Sequence, residues 1–175
     1  MPPHPLGLIV VAAIDPLLRL PDFNMPERVF RLIFHLREIP HESFFIQTYN
    51  PDDSFLRLVA EHDIDAFADA EGATRSALGY PPFAQFIKLT LRGRNSEKTY
   101  REAVLVHQKL QQLEIAKENI RVLGPVPGFI PRERGRYIWQ ILLQLPSDFP
   151  IARRNAILAN ITPAWEIDVD PETIL

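Results

Sequence analysis

Residues 122–140 read Val-Leu-Gly-Pro-Val-Pro-Gly-Phe-Ile-Pro-Arg-Glu-Arg-Gly-Arg-Tyr-Ile-Trp-Gln. Pro125, Pro127 and Pro131, with Gly124 and Gly128, exclude helix. Proline fixes φ and removes a backbone donor, so the stretch predicts an extended loop standing off its sheet. Arg132, Arg134 and Arg136 follow at alternate positions. Residues two apart in an extended segment point the same way, which predicts a semi-rigid cationic comb. Guanidinium forks match phosphate and carboxylate oxygens.

The segments around this stretch set the fold. Residues 84–91 predict a strand. Asn95 or Ser96 caps a helix running to about residue 113, with Tyr100, Ala103, Val104, His107, Leu110 and Leu113 on one stripe. Residues 120–123 predict a strand, 137–145 a strong one, 151–160 a short helix and 165–169 a last strand. The order is β-α-β-β-α-β, the split arrangement of ferredoxin-like domains, with a four-stranded sheet and two helices on one face. In strand 137–145, Tyr137, Trp139, Ile141, Leu143 and Leu145 form the core side, so Trp139 is a packing residue. Arg136, Gln140 and Gln144 face the open side, where an extended anionic ligand would lie.

Gly79-Tyr80-Pro81-Pro82-Phe83 forbids helix or central strand and marks a boundary between residues 1–79 and 80–175. Residues 1–5 read as a disordered tail. Residues 7–14 predict a buried strand, 26–36 a helix with Pro26 in its first turn, and 44–48 a second strand. Asp52 or Asp53 caps one further helix carrying Phe55, Leu58, Val59 and Phe67. Its acidic face of Glu61, Asp63, Asp65, Asp69 and Glu71 is solvated. The fold class is therefore α+β: a C-terminal four-stranded sheet with two helices, preceded by a partial α/β lobe.

The 175 residues contain no cysteine, which excludes disulfides and thiolate metal sites. The net charge of −3 is uneven. Residues 1–79 hold 6 Lys+Arg against 12 Asp+Glu, and residues 80–175 hold 13 against 10, so the footprint for an anionic partner lies in the C-terminal part. The apolar run at residues 6–14 is too short to span a bilayer, and the chain reads as cytoplasmic. No phosphate loop, Gly-x-Ser-x-Gly elbow or His-Glu-x-x-His pattern is present. His107 reads as a core or edge residue. The alternating acids Glu166, Asp168, Asp170 and Glu172 read as solvated rather than as metal ligands. No catalytic residues and no metal site are assigned.

Several motifs in order carry a resemblance. They are Leu78-Gly79-Tyr80-Pro81-Pro82-Phe83, Val122-Leu123-Gly124-Pro125-Val126-Pro127, Ile130-Pro131-Arg132, Arg134-Gly135-Arg136-Tyr137, Trp139-Gln140 and Asp168-Val169-Asp170-Pro171. Together they resemble the C-terminal region of the primosomal protein N-prime family, the replication-restart DNA helicases (PriA, replication factor Y). Asp15, Pro21-Asp22-Phe23, Glu27-Arg28 and Gln47-Thr48-Tyr49-Asn50-Pro51 resemble the last part of that family's second helicase lobe. The family uses ATP, Mg²⁺ and Zn²⁺. Here the Gln-x-x-Gly-Arg-x-Gly-Arg motif expected after Glu27-Arg28 is replaced by residues 30–43, and the phosphate loop, acidic metal box and zinc cysteines are absent from the sequence. No cofactor is expected, and ATPase activity by this chain alone is not.

The resemblance implies a DNA-binding module of replication-restart (primosome) type, binding single-stranded or forked DNA. Arg132, Arg134, Arg136 and Gln140, assisted by Lys88 and Arg92, would contact phosphates. It also implies docking of single-strand-binding protein through its acidic tail, with Arg153 and Arg154 as partner-binding residues. The alternatives are a protein-interaction module, a helicase subunit completed in trans, and a non-functional truncated remnant.

Overall fold

The structure, a computed structural model, describes residues 5–114 and 119–175, the side chains of 113 and 114 excepted. The tail expected before Pro5, and the place of Leu113 on its stripe, lie outside the described residues. Two compact units divide the chain, Met1–Thr74 and Arg75–Leu175.

In the first unit, β1 (Leu6–Val11) pairs in parallel with β2 (His41–Ile46). The one-turn α1 (Asp15–Leu18) and α2 (Met25–Arg37) lie between them in sequence. Ile14, Met25, Val29, Phe30, Ile33, Leu56, Val59 and Phe67 form the core, joined by Val11, Phe44 and Ile46. The Phe30 and Phe67 rings stack at 4.1 Å. The single helix expected after Asp53 is two helices, α3 (Ser54–Glu61) and α4 (Ile64–Leu78). Asp53 caps α3 by accepting from the Phe55 and Leu56 amides at 2.9 and 3.3 Å. His62 then takes a left-handed φ of 62°, and the Asp63 amide closes back on the Leu58 carbonyl at 3.2 Å. Asp63 restarts the helix by accepting from the Ala66 amide at 2.9 Å. The apolar spacing continues across this break, which is why the sequence reads as one helix.

Asp15 ties the segment after β1 to the segment after β2. The Thr48 hydroxyl donates to its carboxylate at 2.8 Å, and the Tyr49 amide donates to both oxygens at 3.3 and 3.2 Å. The Thr48 bond is the main reason its pKa lies below the ordinary 3.8; partial burial opposes this and the Tyr49 amide adds to it. A carboxyl with a lowered folded pKa stabilises the fold fully above its unfolded value and loses that contribution as pH falls through the folded one. The urea midpoint of the parent is therefore expected to drop on acidification below about pH 4 more steeply than that of Asp15→Asn, which starts lower at neutral pH. Parallel pH dependences would show that the ionisation of Asp15 is not linked to folding.

In the second unit, the last turn of α4 ends in a left-handed Gly79 with φ 63°. The Tyr80 amide reaches back to the Arg75 carbonyl at 2.8 Å, and the Gly79 amide to that of Ser76 at 3.3 Å, a Schellman closure that glycine favours. Then follow β3 (Ala84–Gly93), α5 (Ser96–Glu114), β4 (Arg121–Glu133), β5 (Arg136–Pro146), α6 (Ile151–Leu158) and β6 (Trp165–Val169). Asn95 caps α5, accepting from the Lys98 amide at 2.9 Å. The sheet order is β4-β5-β3-β6, with β3 antiparallel to both β5 and β6, and β4 antiparallel to β5. This agrees with an α+β class and is compatible with the split arrangement expected.

One sheet face carries Ile87, Leu89, Leu91, Val122, Ile141, Leu143 and Leu145, packed with Ala103 and Leu110 of α5 and Ile157 of α6. Trp139 packs against this core and against the Tyr100 ring at 4.6 Å, as a packing residue would. His107 is half-buried on α5.

The stretch that predicted a loop is different in the structure. Residues 121–133 form one long strand instead of the short one expected over 120–123. The prolines are tolerated because β4 is the sheet edge, where donors on the outer side have no ladder partner to lose. Register slips between Leu123 and Val126, and again between Pro127 and Arg132, absorb the remaining misfit. Gly124 sits at the first slip with φ 109°, and a Cβ there would stand 2.8 Å from the Gln140 carbonyl oxygen.

Candidate nucleic-acid interface

β4 and β5 meet in a two-residue turn, Arg134-Gly135, with φ of 47° and 77°. Positive φ at both positions matches the right-handed twist of the flanking strands. Directly opposed residues in an antiparallel pair share a face. Arg132 opposes Tyr137 and Glu133 opposes Arg136. Arg132 and Arg136 therefore lie on opposite faces, and Arg134 occupies the tip. The comb expected from alternation does not form: the turn falls inside the arginine run and changes its direction. Arg132 lies over the Tyr137 ring, its guanidinium carbon 5.1 Å from the centroid. Arg136 is on the sheet face opposite the helices, beside Glu133. All three arginines are exposed.

The face expected to be open is largely covered: Phe86, Thr90, Ile138 and Gln144 on it are buried, Gln144 donating to the Leu78 carbonyl at 3.2 Å. Gln140, which opposes Thr90 on β3 and Val126 on β4, is half-buried. Lys88 and Arg92 are on the same face, as alternation predicts, but both have internal partners. The Lys88 amine donates to the Thr173 and Leu175 carbonyls at 2.7 and 3.2 Å. Arg92 forms an ion pair with Glu166. The structure adds Arg94, which sequence reading did not single out. Arg92 opposes Ile138 and Gly93 opposes Tyr137, so one further step brings Arg94 to the Arg136 end of the sheet. The signal for it was the antiparallel register of β3 and β5, which the sequence does not fix. Arg94, Arg132, Arg134 and Arg136 have no ion-pair partner among the described residues.

Arg153 and Arg154 lie elsewhere, on α6. Arg153 lines a groove of about 320 Å³ between α5 and α6, with Val106, Lys109, Ile157 and Ile161. Arg154 turns the other way: its guanidinium donates to the Gln85 side chain at 3.3 Å, and its Nε is buried without a partner among the described residues. The two arginines expected to act together are thus separated, because neighbours on a helix lie about 100° apart. Among the described residues no group of three His, Asp or Glu could hold a metal ion. No helix there is long and apolar enough to cross a membrane.

The fold and its hairpin define an α+β module that presents unpaired arginines from one end of a four-stranded sheet. Residues 76–172, more than half of the chain, match the family described as Primosomal protein N C-terminal domain, and the chain belongs to that family. It is 33% identical to the replication restart protein PriA of Synechocystis sp. over 97% of its own length and 21% of that protein's. It is 32% identical to that of Treponema pallidum over 97% of its length and 27% of the relative's. It is 31% identical to the probable replication restart protein PriA of Deinococcus radiodurans over 98% of its length and 19% of the relative's. The chain thus spans about a fifth to a quarter of these curated relatives.

Proposed function

We propose that the chain serves replication restart by binding single-stranded or forked DNA at the Arg94, Arg132, Arg134 and Arg136 end of its second unit, with the half-buried Gln140 on the adjoining sheet face. The observation that carries this reading is the gathering of four exposed guanidinium groups, none in an ion pair among the described residues although Glu133 stands opposite Arg136. An anionic backbone supplies the missing counter-charge, and each phosphate neutralised releases bound cations from the nucleic acid. Such contacts position a strand without reading its sequence, so binding follows DNA structure rather than sequence. The likeness to proteins named for replication restart supports the same reading. Lys88 and Arg92 would assist only by giving up their internal partners. The reading requires anisotropy of a labelled single strand to rise with protein and to fall as salt increases; the absence of any salt-sensitive rise would remove it.

A second reading, a protein-interaction module, is favoured by two observations. Parallel sheets are ordinarily covered on both faces, yet Leu8 is 53% and Phe45 60% exposed on the outer face of β1–β2. The α5–α6 groove combines an apolar floor with Lys109 and Arg153, which suits a peptide ending in aromatic and acidic residues, such as the tail of a single-strand-binding protein. If this groove is the site, such a peptide binds the parent chain and Arg153→Glu abolishes binding, while single-strand affinity is unchanged. Equal peptide binding by parent and Arg153→Glu excludes the groove.

A further inference from the structure

The edge strand carries a feature that phosphate contacts do not use. Phe129 is 56% and Ile130 60% exposed, between Pro127 and Pro131, where the β4–β5 ladder slips. Neither belongs to a core cluster, and the Phe129 ring meets no other ring among the described residues. An exposed aromatic is ordinary by itself, but this one is held in place. Gly128 is buried, and a Cβ built on it would stand 2.9 Å from Ile138 Cγ2, so the backbone lies directly against the sheet. The two flanking prolines restrict the chain on either side. A bulge of this kind re-aims side chains out of the regular alternation. The backbone that carries the ring is thus restricted, three residues from Arg132 and near the cationic end of the sheet.

We propose that Phe129, backed by Ile130, is a stacking platform for an unpaired nucleobase whose phosphates lie on the hairpin arginines. This rests on the DNA-binding reading above and adds to it a preference for unpaired over paired strands. The face of any base can stack on an aromatic ring, so the contact does not discriminate sequence. A base held in a duplex is already stacked and cannot occupy the platform. Charge decides between occupants: the exposed arginines at this end of the sheet favour a polyanion over an apolar protein surface.

The test uses the whole chain, a single-stranded oligonucleotide carrying 2-aminopurine, and the same sequence as a duplex. Stacking on Phe129 is expected to quench the 2-aminopurine when the parent binds. Phe129→Ala should remove the quench and weaken single-strand binding by about 5- to 100-fold, the range for one base–aromatic stack, while leaving duplex binding and the salt slope unchanged. Phe129→Trp should retain both affinity and quench. Because the ring is exposed, Phe129→Ala should keep the parent's urea midpoint, and the Ile130→Ala variant gives a second, smaller loss. If Phe129→Ala binds and quenches like the parent while the arginine variants lose affinity, the platform is refuted and DNA binding stands. That same outcome is the one expected if the patch instead faces a protein. If the parent binds no DNA, both readings fall.

Discussion

Replacing Arg132, Arg134 and Arg136 together with alanine is expected to flatten the slope of log affinity against log salt by about two units on single-stranded DNA and nearly three on a duplex arm. The magnitude follows from three phosphate contacts, each releasing somewhat less than one counterion. None of the three arginines has an acid partner in the described structure, so their loss leaves no carboxylate stranded and should not destabilise the fold. Arg132 also lies over Tyr137, a contact of at most about 1 kcal/mol at an exposed site, too small to confuse the result. The triple Arg→Lys variant separates charge from geometry: it should keep the slope but lose affinity, because lysine cannot make the two parallel bonds of a guanidinium fork. The measurement is anisotropy titration from about 50 to 300 mM salt, the range over which counterion release changes affinity steeply. A triple alanine variant with the parent's slope would overturn the assignment of these arginines.

The largest effect on stability is expected from Ile141→Ala. Ile141 is fully buried in β5, opposite Leu89 and facing α5 and α6. Truncating it removes buried methyl groups and leaves a cavity that a sheet core fills poorly, at a cost of about 2–5 kcal/mol. The chain offers a clean readout, because its only tryptophans, Trp139 and Trp165, both lie in the second unit and both pack on this core. Urea unfolding followed by tryptophan fluorescence therefore reports this unit specifically. Ile138→Ala, on the opposite face of the same strand, removes the side chain that Gly128 packs against, and tests whether β4 is held there. An Ile141→Ala midpoint equal to the parent's would mean that the β5 face has been assigned to the wrong layer.

Much of this was legible in the chain because the pattern is regular. Alternating apolar residues from Tyr137 to Leu145 fix one face of β5, and the Trp139 contact with Tyr100 follows from it. The capping residues Asp53 and Asn95 were legible for the same reason, since a short side-chain oxygen before an apolar periodic run answers the orphan amides of a first turn. Two things were hidden. The break at His62 is a single left-handed residue inside an unbroken apolar period, and nothing in that period marks it. The extension of β4 through three prolines was hidden because a proline's tolerance depends on whether its strand is at an edge, and edge position is a property of the whole sheet.

The amino-acid sequence alone determined the β-α-β-β-α-β order, the packing role of Trp139 and the presence of arginines at the start of β5, since each depends on local periodicity and side-chain chemistry. Only the tertiary structure decided how those arginines are arranged. A two-residue turn at Arg134-Gly135 puts Arg132 and Arg136 on opposite faces. The antiparallel register brings Arg94 to the same end. Lys88 and Arg92 are engaged by groups more than seventy residues away along the chain. Register and long-range pairing are set by the packing of whole strands against one another, and a change of one residue in register would move every one of these side chains to the other face.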